Sequence, residues 1–179
     1  FHLLKETDLL PDVAIGLQDF LGTGLLSGEY IVASKTVLPG VDVTARLGWG
    51  QLGQRGGFDN PLGVFGSSFD TRDIPEFGNG GEIESSQFFR GDAAVFGGIS
   101  YAYSDKLTVK LEYSSTNYAE NGRSGIIEDN SPFNVGLNYT WKPGLNLQAA
   151  VLHGSELAAG ATLTLNPRVR QPVSGTEVG

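Results

Sequence analysis

Cysteine and methionine are both absent from the 179 residues, and histidine occurs only twice. Without cysteine there is no disulfide framework, no thiolate metal site and no cysteine nucleophile. Cations are scarce too: 12 Lys plus Arg stand against 20 Asp plus Glu, a net charge of −8. So few scattered basic residues form no stripe able to neutralise phosphates, which argues against nucleic acid as a partner and against polybasic binding at a membrane surface. No apolar run approaches the roughly 18 residues of a membrane-spanning helix, so only a barrel of strands would carry this chain through a bilayer. Phe1-His2-Leu3-Leu4-Lys5 reads as neither a signal peptide nor a tag, which suggests a piece of something longer.

Glycine is what the chain has in excess, with 26 residues against a usual share of roughly 7%, and glycine at that level disfavours helices. Alternation with period two runs along most of the sequence. Leu107, Val109, Leu111 and Tyr113 share one face while Thr108, Lys110 and Glu112 share the other. The stretch from Phe133 to Trp141 places five large apolar residues opposite Asn134, Gly136, Asn138 and Thr140. The same pattern sets Val41, Val43, Ala45, Leu47 and Trp49 against Asp42, Thr44, Arg46, Gly48 and Gly50. Residues 145–151 and 157–165 alternate likewise, and weaker versions fall at about 12–20, 27–36 and 93–104.

Tight turns at Leu38-Pro39-Gly40, Ser104-Asp105-Lys106 and Lys142-Pro143-Gly144 alternate with looser joints at 21–26, 52–92, 117–131 and 153–155. Short turns at one end and long loops at the other are the layout of an all-β, antiparallel up-and-down transmembrane β-barrel, and strands of roughly nine to twelve residues have the length to cross the hydrocarbon core. Aromatics sort by end: Phe20, Tyr30, Trp49, Tyr113 and Phe133 near the long loops, Tyr103, Tyr139 and Trp141 near the short turns. Two aromatic belts are what anchoring at two interfaces predicts. A soluble sandwich or lipocalin-like barrel has the same period with its apolar face inward. The opposite face favours the membrane, being rich in Gly, Ala, Asn, Thr and Gln rather than Lys and Glu. Eight segments lie between 12 and 165, and residues 1–5 read as the end of a truncated ninth strand. Since bacterial single-chain barrels usually have even strand numbers, the chain reads as a fragment of a larger barrel, as a sheet closed by a partner chain, or as an eight-stranded barrel that excludes residues 1–5. Residues 166–179 lose alternation and read as a linker or tail.

Gly22-Thr23-Gly24-Leu25-Leu26-Ser27-Gly28 lacks the spacing and the following helix of a phosphate cradle, and reads as a turn. His153-Gly154-Ser155-Glu156 gathers hydrolase-like groups too close in sequence to aim at one another, and reads as a solvated hairpin tip. No catalytic residue, cofactor or metal is assigned. The loop 52–92 holds six of the ten Phe; loops of that length are usually functional or disordered, and so many aromatics argue against disorder. Phe58, Phe69, Phe88, Phe89, Arg90 and Asp92 are candidates for contact with a sugar polymer, unless the Phe side chains only pack the loop against a rim. Asp42, Arg46, Lys110 and Glu112 fall on the polar face, where a barrel would turn them to its lumen, their mixed signs suggesting ion pairs that brace it or a weakly selective polar path.

The run from Gly16 to Lys35, followed in order by Leu47-Gly48-Trp49-Gly50-Gln51-Leu52-Gly53, Asn60-Pro61-Leu62-Gly63, Phe88-Phe89-Arg90-Gly91, residues 94–98, 107–113 and 131–139, resembles the YjbH (GfcD-like) family of bacterial outer-membrane proteins linked to exopolysaccharide and capsule export. The resemblance implies a long β-barrel lipoprotein of the bacterial outer membrane, with any lipid anchor upstream of residue 1. It implies secretion or assembly of an exopolysaccharide, with outer-membrane lipid, the polymer and other secretion proteins as partners, and no enzymatic activity. A structural or adhesin-type barrel without a transport role, or a soluble β-barrel binding a small apolar ligand, are the alternatives.

Overall fold

Side chains on a strand alternate between faces, so once neighbouring strands are in register every residue's face is decided. The protein, seen in a computed structural model that describes residues 1–19, 27–73, 85–117 and 129–165, builds one antiparallel sheet on this principle. Its strands are β1 (His2–Leu4), β2 (Asp12–Gln18), β3 (Gly28–Leu38), β4 (Val41–Trp49), β5 (Ala93–Ala102), β6 (Leu107–Tyr113), β7 (Phe133–Lys142), β8 (Leu145–Leu152) and β9 (Glu156–Leu163). Spatial order equals sequence order, so every connection joins immediate neighbours. Among the described residues β1 and β9 each have one partner strand, and the sheet is open rather than closed into a barrel. No described helix is long and apolar enough to cross a membrane.

Register aligns whole rows of like residues across the strands. Val43, Ile99, Leu111, Val135, Val151 and Leu157 follow one another on the apolar face. One position along, Asp42, Ser100, Lys110, Gly136, Ala150 and Ala158 form a row on the polar face. The two-residue turns need a backbone with positive φ, which glycine accepts without a Cβ penalty, and Gly40 and Gly144 sit there at φ 77° and 82°. Gly97 serves a different end: a Cβ on it would lie 2.2 Å from the Thr44 carbonyl oxygen, so β4 and β5 approach as closely as they do because it has none.

Along β7 burial runs opposite to that of a water-soluble sheet. Along β7 the apolar residues are exposed, Phe133 at 53%, Val135 and Leu137 at 45% and Trp141 at 59%, while Asn134 between them is 8% exposed. Val95, Ile99, Tyr101, Leu111 and Val151 on the same apolar face are exposed as well. Among the described residues the buried hydrophobic ones are Trp49, Ala93, Ala94 and Phe96, clustered at the ends of β4 and β5. Along β7 the sheet thus covers a polar side chain and exposes the apolar ones, while on the neighbouring strands Asp42, Lys110 and Glu112 of the polar face are exposed as well.

Candidate functional site

Two features stand out against this background: the loop over the ends of β3 to β6, and the polar face itself. The described parts of the loop after Trp49 contain short 3₁₀ turns at Gly50–Gly53, Pro61–Phe65, Ser67–Phe69 and Ser85–Gln87, and a bridge from Phe58 to Ala93. Asn60 organises the middle. Its Oδ1 accepts the Trp49 indole N–H and the Leu62 amide, each at 3.0 Å, and its Nδ2 donates to the Phe69 and Phe89 carbonyls at 2.8 Å. A buried ion pair fixes the far end. Arg72 meets Glu29 through two parallel hydrogen bonds, Nη1 to Oε2 at 2.7 Å and Nη2 to Oε1 at 3.0 Å, and also donates to the Gln87 carbonyl and the Ser27 hydroxyl. The Phe89 amide gives Glu29 a third donor at 2.9 Å. Toward β6 and β7 the loop is held by Arg55 with Asp129, and by the Ser115 hydroxyl on the Leu52 carbonyl at 2.6 Å.

The candidate polymer contacts therefore divide. Phe89 packs edge-on against Trp49 with ring centroids 5.2 Å apart, and Phe69 and Phe89 lend their carbonyls to Asn60, so both hold the loop to the strand ends. Phe88 and Arg90 are half-buried, whereas Phe58 and Asp92 are exposed. Val64 and Phe65, absent from the sequence expectation, are the most exposed apolar side chains of the described loop. Glu29, Arg72 and Asn60 were missed as well. Glu29 pairs with Leu17 and so lies on the apolar side, a placement that only the register reveals.

The expected aromatic belts need correction at two positions. Trp49 has no exposed surface, because the loop folds over it and its indole N–H is taken by Asn60. Tyr30 pairs with Gly16 and Gly48, which puts it on the polar face, where it meets Phe96 edge-on with centroids 6.4 Å apart. Phe20 lies outside the described residues, as does most of the 22–28 glycine run. Tyr113 and Phe133 stand together on the apolar face at the long-loop end, with centroids 5.5 Å apart. Tyr103, Tyr139 and Trp141 are exposed near the short turns. His153 is not a solvated tip: it is buried, and its amide donates to Asn134 Oδ1 at 2.8 Å.

Register places Asp42, Arg46, Lys110 and Glu112 on one polar face, but they do not form the expected ion pairs. Asp42 instead accepts the Thr36 hydroxyl at 2.6 Å, and Glu112 is 3.5 Å from the Asn134 amide nitrogen. Arg46 lies over the Phe96 ring at 5.5 Å. Neither Arg46 nor Lys110 has a carboxylate within salt-bridge distance among the described residues.

These features define an antiparallel β-meander with an exposed apolar face, a polar face that gathers Asp42, Arg46, Lys110 and Glu112, and a loop clamped across its strand ends. Residues 1–177 match the family model described as "Exopolysaccharide biosynthesis protein YbjH", and the chain belongs to that YjbH family. It is 39% identical over 166 residues to the protein titled "Uncharacterized lipoprotein YjbH" of Escherichia coli (strain K12), an alignment covering 92% of this chain and 23% of that protein. The chain thus spans about a quarter of the length of the curated relative it matches. No solved structure matches it.

Proposed function

We propose that this chain forms part of the wall of an outer-membrane β-barrel that takes part in secretion or assembly of an exopolysaccharide, with the apolar face against lipid and the polar face toward the polymer. The observation that carries the reading is the reversed burial, with Leu137 and its apolar neighbours exposed and Asn134 covered. In water that arrangement exposes a broad apolar surface, which a soluble protein avoids; in a bilayer it is the ordinary state of a barrel wall. Family membership supplies the link to exopolysaccharide. The relative's lipoprotein title supports membrane attachment of the intact protein, whose partners would be outer-membrane lipid and other secretion proteins. A soluble barrel holding an apolar ligand needs apolar side chains turned inward, contrary to the exposure of Val135, Leu137 and Val151. No catalytic step is part of the proposal.

Deleting the gene for the full-length protein, in cells making the polymer, tests it. Extracellular polymer should fall and return with the restored gene. Unchanged extracellular polymer would refute a role in export or assembly.

A further inference from the structure

Two adjoining concavities lie on the polar face and share Lys110. One, of about 300 Å³, is lined by Asp42, Arg46, Ser100 and Glu112 as well as Lys110. The other, of about 350 Å³, runs on past Gly136 to Asn138 and Gln148. Their floor is made low by Gly98, Gly136, Ala150 and Ala158, while Lys110 rises between them. The result is a trough that crosses the strands from β4 to β9.

The polar groups in this trough are satisfied unevenly. Both acids have donors, Asp42 from Thr36 and Glu112 from Asn134. Both cations are without acceptors among the described residues, and Arg46 Nε is buried with no hydrogen-bond partner. In the other half of the trough Asn138 Oδ1 is buried and equally without a partner. Buried polar atoms in native proteins are almost always paired, and an orphan requires an explanation. Here the orphans are a cationic donor in one concavity and a neutral acceptor in the other. A carboxylate answers the first, since guanidinium N–H groups match its geometry and strengthen with its charge. A hydroxyl answers the second.

We propose that this trough is a binding site for an acidic glycan, with sugar carboxylates on Arg46 and Lys110 and a sugar hydroxyl on Asn138. The inference rests on the reading of the polar face as the polymer-facing side and names the class of polymer. Asp42 and Glu112, tied to their own neighbours, set the register of the chain by repelling a carboxylate placed beside them.

The test uses the full-length protein in detergent micelles and calorimetric titration with two probes, oligogalacturonate as the acidic glycan and maltoheptaose as the neutral one. The acidic oligomer should bind, more weakly as salt rises, and the neutral one should bind at least roughly tenfold more weakly. Removing both charges in Arg46→Gln/Lys110→Gln should weaken the acidic oligomer by roughly tenfold or more, each tenfold corresponding to about 1.4 kcal/mol. Lys110→Arg should retain binding. Lys110→Met leaves the stacking of Arg46 on Phe96 untouched, and it should weaken binding even if the double variant fails to fold. Equal binding of the two probes, no binding of the acidic probe by the wild type, or unchanged binding in Lys110→Met would overturn the site. If any of these occurs while gene deletion still lowers extracellular polymer, the site fails and the export reading stands. If deletion leaves the polymer unchanged, the export reading fails whatever the titration gives.

Discussion

Replacing Arg72 by Ala should release the loop from the strand ends without unfolding the sheet. Glu29 has 2% of its side chain exposed and receives three donors, two from Arg72 and one from the Phe89 amide. Arg72→Ala removes two of the three and leaves a buried carboxylate with one backbone N–H. Breaking a buried pair from one side costs about 3–5 kcal/mol, because the remaining charge is uncompensated. The Arg72 side chain is itself only 15% exposed, so solvent offers little compensation. At about 1.4 kcal/mol per factor of ten, the open loop should become more populated by two to more than three orders of magnitude. Amide hydrogen exchange in the full-length protein reads this directly. The Phe58, Gly91 and Ala93 amides, which bond Ala93, Phe69 and Phe58, should lose protection by about that factor, while the amides between β7 and β8 keep theirs. Changing both partners in Glu29→Leu/Arg72→Leu should cost less than the two single changes added together, since neither charge is then left alone. An increase in exchange of less than about tenfold in Arg72→Ala would refute the claim that this pair holds the loop.

Three further outcomes follow from the sheet. Leu137→Arg, on the exposed apolar face, should destabilise the protein folded in liposomes by about 2–4 kcal/mol if that face meets lipid near the midplane, whereas Thr108→Arg on the polar face should stay within about 0.5 kcal/mol; equal effects in urea titrations would sink the lipid-facing assignment. Gly97→Ala sets a methyl group against the Thr44 carbonyl of the neighbouring strand, and Gly136→Ala meets nothing closer than 3.9 Å. Thermal melts should show a substantial loss for the first and almost none for the second. Trp49→Phe deprives Asn60 of its indole donor while the Leu62 amide remains, so a loss of about 1–3 kcal/mol is expected at this buried site, with exchange rising at the Leu62 amide; unchanged stability and exchange would show that the bond contributes nothing.

The strands were legible because alternation is a local property. Val41 to Trp49 and Leu107 to Tyr113 were read to their ends, and β7 to within one residue of Lys142. Faces were legible only where alternation was clean. β3 carries Ile31 and Val32 side by side, so its pattern does not say which face Tyr30 joins, and assigning Tyr30 by its end of the strand put it on the wrong side. Trp49 was read correctly as an apolar-face residue but not as a covered one, because its cover comes from Asn60 and Phe89 in the loop. Glu29 and Arg72 are separated by 43 residues, and no periodicity connects a strand acid to a loop cation. The four polar-face charges were placed together by alternation, but whether they pair depends on side-chain reach and on competing partners such as Thr36.

The position of the clamp bears on what the polar face can do. Glu29 and Trp49 both lie on the apolar side by register, as partners of Leu17 and Ala93, so the loop's ion pair and its Asn60 hub are drawn to the apolar side of the strand ends. Leu52 reaches the polar side, where it lies against Gly48. The rim is thus gripped from both sides while the row from Asp42 through Lys110 to Ala158, farther along the strands, has no described loop residue lining its concavities. A loop built as a plug would direct its charged and amide groups into that row. The described part of this one directs Arg72 and Asn60 away from it, and among the described residues no carboxylate takes up the two cations of the trough.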